Sequence, residues 1–257
     1  MTWENSLVGR ARRRGILLAI LSVVAVQPAF GASTPAIAPD DESACGPRPQ
    51  VDTTAGAVDY RLRFSDSVVR TVVGNLDQFH TAPAREAIKA GLFHGSAMHD
   101  ISFELHHSPN HHEGLRLLLA YVDGGGKPLD LAPPVCFFLW ARQFVPDDIV
   151  VLQLSAMYAW KHGKRDAAAG FFTQALALAP NSAELNYIAG LYYFEIGNHT
   201  AARERAWAAY AAGHPLPGLR NKLIHTGEWK EPPAAEIPAL PSAAPDPQAP
   251  SDGNPSH

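Results

Sequence analysis

The stretch from Ile149 to Pro215 repeats itself with a period of about 34 residues, and that period limits what the chain can become. Small residues recur in register: Ala156 with Gly190, Ala168 with Ala202, and Ala175 with Ala209. The turn glycines Gly163 and Gly197 keep the same spacing. A fixed period of this size belongs to an array of one unit stacked on copies of itself. Here each unit reads as two helices. Val150–Lys161 carries apolar residues at helical spacing and ends at His162-Gly163, and Asp166–Ala179 follows, closed by Pro180. The next unit copies it with 183–196, the turn Gly197-Asn198, and 200–212. Glycine takes the left-handed conformation that stops a helix, and proline cannot continue one. The small residues let the paired helices approach closely, while Leu152, Phe171, Phe172, Leu176, Tyr187, Leu191, Tyr193 and Phe194 fill the remaining volume. One such pair cannot bury its apolar face alone, so units must stack. The expected fold class is all-α, a solenoid of stacked helix-turn-helix units.

The order small residue, turn glycine, alanine, aromatic, alanine, proline resembles the tetratricopeptide repeat (TPR). In the first unit these are Ala156, Gly163, Ala168, Phe172, Ala175 and Pro180. The second unit matches at Gly190, Gly197, Ala202 and Ala209, and departs at Ala206 and His214 where the first has Phe172 and Pro180. Such departures suit a unit near the end of an array. Phe138, Ala141 and Pro146 lie one period before Phe172, Ala175 and Pro180, which places a degenerate unit over Glu113–Pro146, with an insertion at Gly124-Gly125-Gly126. Another degenerate unit spans Ala82–Ala90 and Ser96–His106, with Thr81 as expected N-cap and Pro83 in the first turn. It ends in Pro109-Asn110, the same pair as Pro180-Asn181. Residues 66–148 are therefore read as degenerate repeats, 149–215 as two repeats, and 216–230 as a capping turn and helix. Leu216–Leu223, Pro109-Asn110-His111-His112 and Phe79-His80-Thr81 are similar to a group of exported bacterial repeat proteins of unsettled function, a resemblance covering roughly 58–230.

The first thirty residues read as an address. Arg10, Arg12, Arg13 and Arg14 precede the apolar run Ile16–Val26, then Pro28 and the small-residue site before Ala32. This is a secretory signal peptide over 1–31. The apolar run is short for a membrane span, which takes about 20 residues. Cleavage and a periplasmic or secreted chain are expected; the alternative is an anchor that stays. Four of the 21 basic residues and one of the 25 acidic ones leave with the leader, so 17 face 24 and the mature charge is −7. That balance argues against a nucleic-acid partner.

Residues 32–65 form an irregular arm, in which Tyr60–Phe64 reads as an extended piece or a docking arm. Asp66 suits an N-cap for a helix on Val68, Val69, Val72 and Val73, although the same valines suit a strand. Cys45 and Cys136 are the two cysteines, and an even count in an exported chain favours a disulfide that clips the arm to the repeats. The other reading is two separate thiols. Residues 231–257 hold eight prolines and no basic residue, the composition of a disordered tail.

Catalytic motifs are absent: no nucleophile elbow, no phosphate loop, no dinucleotide glycines. The expectation is a protein that is not an enzyme and uses no cofactor. His106, His107, His111 and His112 invite a metal reading, with His107 and His111 as the candidate pair. Yet Pro109 breaks any helix between them, and histidines at a helix C-terminus also serve its exposed carbonyls. In proteins with this repeat, the first helices of successive units line a concave face that grips peptides or helices. The resemblance places Gln153, Met157, Trp160, Lys161, Tyr187, Leu191, Phe194 and Glu195 there, suited to an apolar segment of another envelope protein. The competing reading packs these residues against a neighbouring helix or the closing helix.

Overall fold

Several helices among the described residues end on the same backbone bond, from the residue after the turn to the carbonyl five positions earlier. In the computed structural model, which describes residues 41–127 and 132–232, these bonds are Leu92 to Ala87, Gly126 to Tyr121, Lys164 to Ala159, Asn198 to Tyr193 and His214 to Ala209. Gly163 and Gly197, one period apart, sit at φ 72° and 80°, which explains why both turns need glycine. The leader, residues 32–40 of the arm and residues 233–257 lie outside the described residues.

The described residues are helical, without strands. In chain order the helices are α1 (Ser67–Leu76), α2 (Ala82–Lys89), α3 (Gly95–His107), α4 (His112–Asp123), α5 (Pro134–Phe144), α6 (Ile149–Lys161), α7 (Arg165–Leu178), α8 (Ala183–Glu195), α9 (His199–Ala211) and α10 (Gly218–His225). None is long and apolar enough to cross a membrane. The arm makes short 3-10 turns at Glu42–Ala44 and Tyr60–Phe64, the latter in place of an extended piece. Asp66 caps α1 as expected, accepting from the Val68 and Val69 N–H groups. Thr81 is not an N-cap. Instead α1 runs into α2 through a π turn at Asp77–Thr81, and Thr81 has helical backbone. Pro83 lies just beyond and cannot bond to the Phe79 carbonyl, so the wide turn absorbs the missing bond.

Units join through a second repeated device. Asp148 caps α6 and Ser182 caps α8, one period apart, and His111 caps α4 at a slightly wider spacing before Asp148. The degenerate unit is therefore longer by three positions, and its extra length falls in the loop after α4.

The six in-register small residues are all buried, five alanines with no exposed surface and Gly190 beside them. The apolar core runs without a break: Met157 borders the α2–α6 cluster and the α6–α8 cluster, and Tyr193 borders that one and the α8–α10 cluster. The departures in the last unit have a packing cause. Phe172 of the first unit packs on Tyr192 of the next helix, whereas Ala206 leaves its space to Leu219 and Leu223 of α10. Gly190 likewise makes room for α10, since a Cβ there would meet Leu219 Cδ2 at 2.4 Å. Gly190→Val is expected to destabilise by about 1–3 kcal/mol through overpacking. A urea melt should show it, and hydrogen exchange should place the loss at α10.

The Cys45–Cys136 disulfide ties the arm to α5, as the cysteine count suggested. Beside it Trp140 Nε1 donates to Gly46 O at 2.9 Å, and Glu42 pairs with the nearly buried Arg142 at 2.5 Å. Farther along, Asn110 gathers the arm into the repeats. Its Nδ2 donates to Asp59 at 2.7 Å and Asp148 at 3.0 Å, and its Oδ1 accepts from the Tyr60 N–H.

Candidate functional site

The resemblance implies a face made of α6 and α8, and the structure divides that face in two. Gln153, Met157 and Lys161 line an open cleft of about 260 Å³ between α4, α6 and α8. Its floor is apolar, from Leu119, Leu154, Met157 and Ile188. Its rim carries Arg116, Asp123, Lys161 and Glu184. Lys161 pairs with Asp123 across the cleft, and Gln153 donates to Glu184 at 3.4 Å.

The other half of the face is covered. Tyr187, Leu191 and Phe194 pack against α10. Tyr187 stacks on His214 at 3.9 Å, Lys222 lies over Phe194, and Gly218 sits against the Tyr187 hydroxyl. Trp160 stands edge-on to Tyr192 at 5.6 Å, inside the packing of the repeat. Glu195 is exposed at the end of α8. For Tyr187, Leu191, Phe194 and Trp160 the packing alternative describes the structure. The sequence reading misses Arg116, Ala120 and Asp123, although they hold the places of Gln153, Met157 and Trp160 one unit earlier. Carrying the register back through the three-residue insertion finds them.

The four clustered histidines go four ways. His106 is wedged between Phe137 and Trp140, where burial lowers its pKa and favours the neutral ring. His107 stacks on Phe103 at 4.2 Å and bonds its own turn at Phe103 O. His112 Nε2 lies 2.9 Å from the buried Asp148, which also caps α6. The alternative that pairs His107 with His111 is not what the described residues bring together: His111 meets Asp77 and Glu104.

That second cluster is built from three elements. Asp77 comes from the π turn, Glu104 from α3 and His111 from the cap of α4, with one donor atom from each within 4.8 Å of the others. Glu104 and His111 have no exposed surface, and Asp77 is half exposed. His111 Nδ1 lies 2.5 Å from Glu104 Oε1, and Nε2 lies 3.3 Å from Asp77 Oδ1. Thr81 donates to Glu104 Oε1 at 2.8 Å, and the Gly114 N–H approaches His111 Nδ1 at 3.2 Å. The Tyr60 ring covers the imidazole at 4.3 Å. Burial pulls the imidazole toward neutrality, but the two carboxylates outweigh it and raise its pKa. Little in the sequence signals this cluster, because its three residues sit on separate elements and share no helical spacing.

No protein-family model, curated protein or solved structure matches the chain.

Proposed function

We propose that the chain is an exported, non-catalytic scaffold of the tetratricopeptide type that holds an apolar segment of another envelope protein in the cleft between α4, α6 and α8. The observation that carries this reading is the cleft itself: an apolar floor left open beside Tyr187, Leu191 and Phe194, which α10 covers. A partner segment would lay apolar side chains on Leu119, Met157 and Ile188. Arg116, which makes no hydrogen bond or ion pair among the described residues, would meet a carboxylate on it. Two findings support export. The Cys45–Cys136 bridge suits an oxidising compartment such as the periplasm or the cell exterior, and the leader has the pattern of a secretory signal.

The test is site-specific photo-crosslinking in the native envelope. A crosslinker at Ile188 should trap one protein, and a crosslinker at the exposed Gln174 of α7 should not. The Arg116→Glu/Lys161→Glu pair, both exposed side chains, should abolish the Ile188 adduct while leaving the melt unchanged. Equal adducts from both positions, or an Ile188 adduct untouched by the charge reversal, would sink the proposal.

A further inference from the structure

Two motifs that the cleft does not use, Phe79-His80-Thr81 and Pro109-Asn110-His111-His112, meet in the Asp77–Glu104–His111 cluster. Its composition is odd for a structural knot. The cap position holding His111 is filled by Asp148 and Ser182 in the following units, residue types that cap well. The π turn that carries Asp77 and Thr81 is an irregularity found often at functional sites.

Two atoms of the cluster make no well-formed hydrogen bond, although one of them, His111 Nε2, lies within ion-pair range of Asp77. Glu104 Oε2 and His111 Nε2 are sealed from solvent and make no hydrogen bond. Buried polar atoms without partners are few in native proteins, and each calls for an explanation. The 2.5 Å contact between Nδ1 and Oε1 holds one proton. In the tautomer with that proton on Nδ1, the ring no longer accepts from the Gly114 N–H 3.2 Å away, and Nε2 keeps its lone pair and faces the Asp77 carboxylate oxygen across 3.3 Å. Two lone pairs at that range repel unless a cation lies between them. The separation suits two ligands bound at about 2.0–2.2 Å to one ion at a near-tetrahedral angle.

We propose that His111 Nε2 and Asp77 bind a divalent transition-metal ion, with Glu104 as the positioning carboxylate that holds the imidazole through Nδ1–H. A carboxylate behind a ligating histidine fixes its tautomer and strengthens it as a ligand. Thr81 holds that carboxylate in turn. Imidazole with a carboxylate suits zinc and its neighbours in the first transition row. Charge closes as well, since a doubly positive ion balances the carboxylates of Asp77 and Glu104 beside a neutral ring. Asp77 is half exposed, so water completes the coordination. In the metal-free chain a proton takes the ion's place, and the two compete.

The experiment is equilibrium dialysis of the full disulfide-bonded chain against Zn²⁺ near neutral pH. One ion per chain should bind at micromolar concentration. Asp77→Asn, at a half-exposed position that leaves the fold intact, should weaken binding at least tenfold. Glu104→Gln should weaken it about 10–100-fold, and the nitrogen shifts of His111 should show zinc on Nε2 in the parent and a changed tautomer in the variant. His107→Ala should bind as the parent does. No saturable zinc, binding unchanged by Asp77→Asn, or binding lost only with His107→Ala would overturn the site, leaving a proton or surface imidazoles as the occupants.

Discussion

Removing the arm's tether, as Cys45→Ser/Cys136→Ala, is expected to cost about 4–5 kcal/mol of stability, the amount that chain-entropy arguments assign to a loop of this length. The two cysteines stand 91 positions apart in sequence. For a chain of this size the midpoint should drop on the order of 10 °C. The loss should also be local. Without the bridge the arm keeps Trp140 to Gly46, Arg142 to Glu42 and Arg48 to the His106 carbonyl, all at α3 and α5. Paired melts of oxidised and reduced parent beside the double variant give the number. Proteolysis near Arg48 tells whether the arm lets go first. Melts that coincide would mean that these polar contacts order the arm without the bridge, and that the loop-entropy account fails for this chain.

The second large effect is expected at Asp148, which is nearly buried and joins three elements. Its carboxylate accepts from Val150 N–H and Val151 N–H at the start of α6, from Asn110 Nδ2, and lies against His112 Nε2. Asp148→Ala removes a helix cap, about 1–2 kcal/mol. It also leaves buried donors without an acceptor, about 1–3 kcal/mol more. A total of about 3–4 kcal/mol by urea denaturation is expected, and Asp148→Asn should recover part of it as a neutral cap. The pH dependence has a definite sign. Burial raises the Asp148 pKa, but His112, Asn110 and the Val151 N–H outweigh it and hold it below the ordinary carboxylate range. Its contribution is therefore present above the unfolded pKa near 3.8 and fades as pH falls through the lower folded value. The acid limb of the parent's stability curve should flatten in Asp148→Asn; equal limbs would refute the assignment.

The readable parts of the fold are those fixed by local chemistry repeated at a constant spacing. Turn glycines and in-register alanines place α6 to α9 within a residue or two. Thr81 misleads because a proline two residues on marks a helix start and a mid-helix irregularity equally well; only tertiary packing against Glu104 decides between them. The cleft is half readable. Its α6 wall follows from the repeat, but its α4 wall is displaced by three inserted residues, and nothing local says that α10 turns back over Tyr187 and Leu191. The Asp77–Glu104–His111 cluster is a product of long-range packing, so spacing rules tuned to one helix do not assemble it.

A stack of like units has no intrinsic end. Its last exposed face is shaped to receive another unit, and in solution the nearest supply is the first face of a second molecule. Such head-to-tail contacts do not close on themselves and grow into filaments. With Leu219 and Leu223 seated on Ala202 and Ala206, α10 takes the seat that a further unit would claim. The helix thereby closes the stack of described units on that face, and what would otherwise be a surface for self-association is spent inside one molecule.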